Sequence, residues 1–351
     1  MIKQLTLPLS LRMARSLVLG STAAVVLGGF TAQADAAPRA SSAVVVNGTL
    51  VITEDNAGHT VDVSLSATDP NNLQVITDGT DVQAFDRTQF TQILVHGGRG
   101  NDIIQIGNGF SDEQVTVDGG AGADTIVGGD GKDVLFGGRG NDTVNGGRGA
   151  DLALLGSGSD SFVWNPGDGS DDVDGQRGSD TMVFNGSAAD ERMSVFANGS
   201  QSVLTRNVGT ITMNMDSIEG LVLNTLGGAD EVVVADLSGT SLGKVDVDLA
   251  DPSGAPDRAA DDVVVFGTEG NDHIKVSADT GAAVVRGLRP TLHISGADAS
   301  LDELQISALG GQDRAKVDDD VSSVIGVKVD LGDQPAPDRE PNDDVDQQPA
   351  F

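Results

Sequence analysis

Eight aspartates recur at fixed places. Asp102, Asp124, Asp133, Asp142, Asp151, Asp160, Asp171 and Asp180 each stand sixth in a nine-residue unit. The best copies run unbroken from Gly119 as GGAGADTIV, GGDGKDVLF, GGRGNDTVN, GGRGADLAL and LGSGSDSFV. An earlier copy, GGRGNDIIQ, starts at Gly97, and two worn ones, PGDGSDDVD and GQRGSDTMV, start at Pro166 and Gly175. Glycine fills positions one, two and four: Gly97, Gly98 and Gly100; Gly119, Gly120 and Gly122; Gly128, Gly129 and Gly131; Gly137, Gly138 and Gly140; Gly146, Gly147 and Gly149. The pattern then thins, keeping Gly156 and Gly158 in the next copy and, at position four of the two worn ones, Gly169 and Gly178. Such glycines let the backbone take φ above zero and turn its carbonyls toward a common point. Carboxylate and carbonyl oxygens, with no His or Cys inside the units, form a hard donor set. It suits calcium, which takes about 6 to 8 oxygens in flexible geometry, over zinc or copper, while magnesium demands a tighter octahedron. These glycines and aspartates are the candidate metal ligands.

The elements that must position them are short. Position eight is apolar throughout, as Ile104, Ile126, Leu135, Val144, Ala153, Phe162, Val173 and Met182. A three-residue strand with one inward side chain per unit would build a thin core. A flexible Gly/Asp linker would have no reason to keep both the acid and the apolar position through successive copies.

The pattern G-G-x-G-x-D-x-U-x resembles the glycine-rich nonapeptide repeat of RTX, or hemolysin-type, calcium-binding proteins. The resemblance implies an all-β fold, a right-handed parallel β-roll or β-solenoid with calcium in the turns. Two units would close one coil, so that turns stack every 18 residues. Asp124, Asp142 and Asp160 then share one edge, Asp133 and Asp151 the other, and each ion lies between successive turns. The Trp164-Asn165 insertion is expected to shift the register of the sites at Asp171 and Asp180.

A second period, of about 82 residues, runs through the rest of the chain. SDTMVFNGSAADERMSV from Ser179 matches DDVVVFGTEGNDHIKV from Asp261, and LGGADEVVV from Leu226 matches LGGQDRAKV from Leu309. Three related modules follow, roughly 44 to 178, 179 to 260 and 261 to 344, with the nonapeptide block inserted in the first. The organisation expected is a leader over 1–36, an N-terminal solenoid segment over 37–96, the roll over 97–186, degenerate solenoid repeats over 187–332 and an acidic, Pro-rich tail over 333–351. Two sandwich-like domains flanking a roll is the competing architecture. Asp230, Asp272 and Asp313 mark degenerate turns, and Asp272, in GTEGND, is the best ligand candidate among them. The acidic loop carrying Asp251, Asp257, Asp261 and Asp262, with its counterpart at Asp333, Asp338, Asp343 and Asp344, reads more readily as a solvated loop than as an ion site.

Residues 1–36 carry Lys3, Arg12 and Arg15, an apolar run from Leu17 to Phe30 and the small-residue site Ala34-Asp35-Ala36, the form of a secretory signal peptide. Secretion to the extracellular space is the expectation, and no other stretch is long enough to span a bilayer. The full chain has 53 acidic and 21 basic residues, a net charge of −32. That charge disfavours nucleic acid and anionic membrane as partners and favours cations. Zero cysteines exclude disulfides, thiolate metal sites and cysteine nucleophiles.

Catalytic constellations are scarce. Histidine occurs at 59, 96, 273 and 293, with no H-E-x-x-H. Gly239-Thr240-Ser241-Leu242-Gly243 matches G-x-S-x-G but lacks a following helix for a nucleophile elbow. Carboxylate pairs are abundant, yet one Trp and no Tyr leave few aromatic platforms for a sugar. The reading is a secreted, non-enzymatic calcium-binding protein with a structural or adhesive role. An enzyme with a carboxylate site in modules two and three is the alternative. An ice-binding roll would need a regular Thr/Asn array, which positions three and five do not provide. Finally, positions seven and nine should point outward. Thr125, Val127, Thr143, Asn145, Ser161 and Val163 make one face mostly polar, whereas Val134, Phe136, Leu152 and Leu154 would form an apolar patch fit for a protein or cell-surface partner.

Overall fold

Short Val/Ile-rich segments with one inward and two outward side chains, separated by Gly/Asp turns, leave the chain one economical way to bury its apolar positions, which is to coil and stack. The computed structural model describes residues 41–332. The signal-peptide reading and the acidic tail lie outside them. Two long sheets face each other, one of 15 strands and one of 14. We call the first sheet A, containing Gln92–Arg99, Gln114–Ala121, Val134–Arg139 and Leu152–Gly158. Sheet B contains Ile103–Ile106, Thr125–Val127, Thr143–Asn145 and Ser161–Trp164. Within the nonapeptide block successive units alternate between sheets and pair in parallel, as in Leu135↔Ala153 and Val144↔Phe162. The same two sheets continue to residue 330, so one β-solenoid forms rather than two sandwiches beside a roll.

All eight position-eight side chains lie in the core, none more than 3% exposed. Trp164 stacks on Phe184 with ring centroids 4.2 Å apart and 5° between planes, and its indole N–H donates to the Gly169 carbonyl at 2.7 Å.

The expectation of a parallel solenoid needs one correction. An antiparallel hairpin, Ser42–Val46 with Thr49–Thr53, opens sheet A, and three three-stranded antiparallel excursions follow: Thr60–Ser66, Asp69–Thr77 and Asp81–Asp86 in sheet B; Arg192–Asn198, Gln201–Arg206 and Ile211–Asp216 in sheet A; His273–Asp279, Ala282–Arg286 and Thr291–Ser295 in sheet B. Short hairpin turns cause them, as at Asn198–Gln201, where Gly199 takes φ +68°. Their alternation between sheets has a simple origin. Each 82-residue module occupies an odd number of half-coils, so Thr181–Asn185 lies in sheet B while its sequence counterpart Asp262–Phe266 lies in sheet A.

Candidate metal-binding turns

In every nonapeptide unit the residue immediately before the short strand that carries position eight is an acid, and it is buried. Asp102, Asp124, Asp133, Asp142, Asp151, Asp160, Asp171 and Asp180 are each no more than 2% exposed. They stack along the two edges where the chain turns from one sheet to the other. Asp124 Oδ1 accepts the Asp102 amide at 2.8 Å, Asp142 Oδ1 the Asp124 amide at 2.9 Å, Asp160 Oδ1 the Asp142 amide at 2.8 Å, and Asp180 Oδ1 the Asp160 amide at 2.9 Å. On the other edge Asp151 Oδ1 accepts from Asp133 at 2.9 Å and Asp171 Oδ1 from Asp151 at 3.0 Å. The Trp164-Asn165 insertion therefore leaves the stack unbroken. The extra residues are absorbed in a turn where the Asp168 amide donates to the Asn165 carbonyl and Asp168 Oδ2 accepts the Asn165 amide.

The glycines make this stack sterically possible. Gly140 and Gly149 have φ of +124° and +130°, and a Cβ on either would run into the carbonyl oxygen of Gly122 or Gly131 one coil earlier. Gly137, at position one, leaves room for its own repeat's carboxylate. A Cβ there would sit 2.8 Å from Asp142 Oδ2.

Seven of the eight aspartates thus commit one oxygen to the preceding coil. The other is not: Oδ2 of Asp102, Asp124, Asp133, Asp142, Asp151, Asp160, Asp171 and Asp180 is buried and has no hydrogen-bond partner. Asp133 begins its row and has both oxygens unengaged, because the preceding turn ends in Glu113, whose amide donates to the Phe110 carbonyl. Buried carboxylates without counter-charge resist ionisation. Burial pushes Asp133 up to about 8, and Asp102, Asp142 and Asp180 to about 6. Asp124, Asp151, Asp160 and Asp171 are raised as well, burial again being the largest cause. Among the described residues no three acidic or histidine side chains close on one point as a side-chain metal cage would. An ion here must therefore complete its shell with turn carbonyls, which the glycine backbone brings close. A hard divalent cation fits this donor set, since it would neutralise the orphaned oxygens.

The acid ladder also extends beyond the nonapeptide block, through the degenerate turns at Asp230, Asp272 and Asp313 and through Glu191, Glu219 and Asp302, which the sequence reading does not single out. Asp102 Oδ1 accepts the His59 amide, Glu219 Oε2 the Asp180 amide, Asp230 Oδ1 the Glu191 amide, Asp261 Oδ1 the Asp230 amide, Asp302 Oδ1 the Asp261 amide and Asp313 Oδ1 the Asp272 amide, at 2.8 to 3.0 Å. The signal that could have found them is an acid directly preceding each strand. Asp272 differs from the nonapeptide set: Thr268 donates its amide to Oδ2 at 2.8 Å and its hydroxyl lies 3.1 Å from Oδ1. It is the candidate least free to take an ion. The loop read as solvated holds Asp261 at 1% exposure, so that reading fails for this residue. It suits Asp251, which is capped by Ser253.

At two turns that carry Glu, those of Glu113 and Glu191, the counter-charge is built in. Arg87 makes a bidentate pair with Glu113, Nε to Oε1 and Nη2 to Oε2 both at 2.8 Å. Arg206 pairs with Glu191 through Nε and Nη2, with its guanidinium 5.2 Å from the centre of the Trp164 ring.

The outer faces divide as the alternation requires. Val134 pairs in register with Leu152 and Phe136 with Leu154, so the four side chains adjoin on sheet A. Leu154 is 7% exposed and the other three are half-buried. On sheet B, Thr125, Thr143, Ser161 and Thr181 form one outward row.

No curated protein and no solved structure matches the chain. Residues 118–153 match the family model of the RTX calcium-binding nonapeptide repeat, in four copies. Repeats of that kind bind calcium. The chain therefore carries an RTX calcium-binding nonapeptide repeat block, folded as the most regular section of a β-solenoid.

Proposed function

We propose that this is an exported, non-enzymatic protein with a structural or adhesive role, whose roll completes its folding when calcium binds outside the cell. The observation that carries this reading is the double row of buried, unpartnered Oδ2 atoms. Stacked carboxylates oppose compaction until divalent charge neutralises them. Extracellular calcium sites bind at about 10⁻⁴ to 10⁻³ M, so folding would wait for export. At 100 times its dissociation constant each site adds about 2.7 kcal/mol if the ion binds only the folded state.

A catalytic role finds little support. The Gly239–Gly243 segment lies in a turn, with the Thr240 hydroxyl donating to the Leu237 carbonyl. The His59 ring is tied to Asp55 at 2.9 Å and Asp78 at 3.0 Å. No helix among the described residues is long and apolar enough to cross a membrane. The Val134, Phe136, Leu152 and Leu154 surface is the candidate site for a protein or cell-surface partner.

The test is a calcium titration of the leader-free chain followed by circular dichroism and calorimetry. Strand signal and melting enthalpy should rise together with calcium. Identical spectra and melting in chelator and in millimolar calcium would overturn the reading.

A further inference from the structure

The nonapeptide turn has a recognisable backbone form: its second and fourth residues take positive φ, as Gly138 at +112° and Gly140 at +124°. A related form occurs outside the nonapeptide block at Leu226–Asp230, where the third residue, Gly227, is also positive at +126°. Leu226, at the second place, has φ +68°, and Gly228, at the fourth, +108°. A leucine held in the left-handed region costs about 1 kcal/mol or more, so the turn keeps its shape against the local preference of its sequence. A Cβ on Gly228 would come within 2.6 Å of the Ala189 carbonyl oxygen, the same close approach to the preceding coil.

Three acids meet this turn. Asp230 is 3% exposed and Asp261, on the next coil, 1%. Each gives Oδ1 to the ladder, and each has a buried Oδ2 with no hydrogen-bond partner. The nearby Thr225 hydroxyl donates instead to the Asp248 carbonyl at 3.3 Å. Asp257 reaches in from the loop after Pro256. Its Oδ1 accepts the Ala259 amide at 2.8 Å, while its Oδ2 is also buried and unpartnered, 3.6 Å from where a Gly227 Cβ would lie. The cations nearest in sequence and stack serve elsewhere: Arg206 pairs with Glu191, and Arg258 is exposed and acts on Asp251 and Asp298.

We infer that the Leu226–Asp230 turn and the 256–261 loop form a calcium site separate from the nonapeptide block, with Oδ2 of Asp257 and of Asp261 as its carboxylate ligands and turn carbonyls completing the shell. Two orphaned oxygens on side chains already ordered by the ladder and by Ala259, beside a glycine with no side chain to obstruct them, are what a hard divalent cation requires. The inference rests on the calcium reading of the acid turns and adds a site in a segment that the repeat pattern does not reach.

Bound calcium, counted by equilibrium dialysis of the leader-free full chain against calcium chloride, tests it. Asp257→Asn and Asp261→Asn should each bind one ion fewer than the parent. Their amide oxygens still accept the Ala259 and Asp230 amides, so the fold has no cause to change. Asp251→Asn, which removes the same charge from the same loop at a carboxylate already capped by Ser253, should keep the parent count. A parent count in either Asp257→Asn or Asp261→Asn overturns this site and leaves the roll's calcium reading standing. A parent that binds no calcium overturns both.

Discussion

The two kinds of acid turn solve one electrostatic problem in opposite ways. At Glu113 and Glu191 the buried carboxylate meets a guanidinium from the same chain, Arg87 or Arg206. In the nonapeptide block no arginine or lysine comes to the buried oxygens. Eight aspartates keep an unpartnered Oδ2. The longer Glu side chain reaches a guanidinium laid across the core edge, whereas the shorter Asp holds its oxygens inside the turn, among carbonyls. The first kind of turn is complete as soon as the chain folds. The second needs something from solution, so the stability of this molecule should be calcium-dependent in one region and calcium-independent in another.

The strongest way to break that contrast is Arg206→Leu. It leaves Glu191, whose side chain is fully buried, without its counter-charge, and removes the cation over Trp164. A loss of about 3 to 5 kcal/mol is expected, in chelator and in calcium alike. Urea unfolding under both conditions measures it, and a loss that calcium restores would contradict the built-in role.

Next in size is the pair Asp142→Ala and Asp272→Ala. Asp142 accepts from Asp124, donates its amide to Asp160 and offers a free Oδ2 mid-stack. The carboxylate of Asp272 is engaged by Thr268. Losing the Asp142 rung leaves the Asp124 amide unsatisfied, about 1 to 3 kcal/mol, and removes bound calcium as well. Asp272→Ala should cost stability only. Equal losses of bound calcium in a dialysis count would favour isolated loops over stacked turns.

A smaller effect, but one of opposite sign with and without calcium, concerns pH. The nonapeptide aspartates have folded-state pKa values raised above the unfolded ones, to about 6 at Asp102, Asp142 and Asp180 and about 8 at Asp133. A raised value means that the folded, ion-free state holds extra protons. Its stability is greatest below the unfolded pKa, near 4, and falls as pH rises through 6 to 8. His59, raised to about 9 chiefly by its hydrogen bond to Asp55, adds a contribution lost between about 6.5 and 9. Ion-free protein should therefore melt higher at pH 5 than at pH 8. Calcium, which binds the ionised carboxylates and releases protons, should reverse the order. Melting followed by circular dichroism decides it, and an ion-free chain that melts higher at pH 8 would contradict the orphaned-carboxylate picture.

The smallest effect is expected at Phe136→Asp on the outer face of sheet A. Calcium-loaded stability should move by about 0.5 kcal/mol or less, while binding of an apolar dye falls and any assembly through this face dissociates. Dye binding and oligomeric state equal to the parent's would remove the patch as a docking surface.

Much of the calcium block was legible because its two constraints are local. Glycines at one, two and four, an acid at six and an apolar residue at eight are each tied to one turn or one strand, and the edge assignment follows from counting by nine. The antiparallel excursions were not legible, since alternation in segments such as SVLTRN and GTITMN is the same for either strand direction. The Arg206–Glu191 pair joins residues 15 apart across a hairpin that no repeat announces. Asp272 misled because GTEGND keeps the outline of the repeat, while its Thr268 supplies donors where the nonapeptide has glycine. Asp261 misled in the opposite direction, its Pro-containing neighbourhood suggesting a wet loop where the ladder buries it.

The most direct measurement is a crystal structure of the calcium-loaded chain with anomalous data sensitive to calcium. Peaks are expected between successive turns along both edges of the nonapeptide block, each about 2.3 to 2.6 Å from the Oδ2 of a position-six aspartate, with no peak at the Arg87–Glu113 or Arg206–Glu191 turns. Oδ2 atoms bonded to ordered water or to neighbouring amides, with no anomalous density between turns, would contradict the claim that these carboxylates await a metal ion.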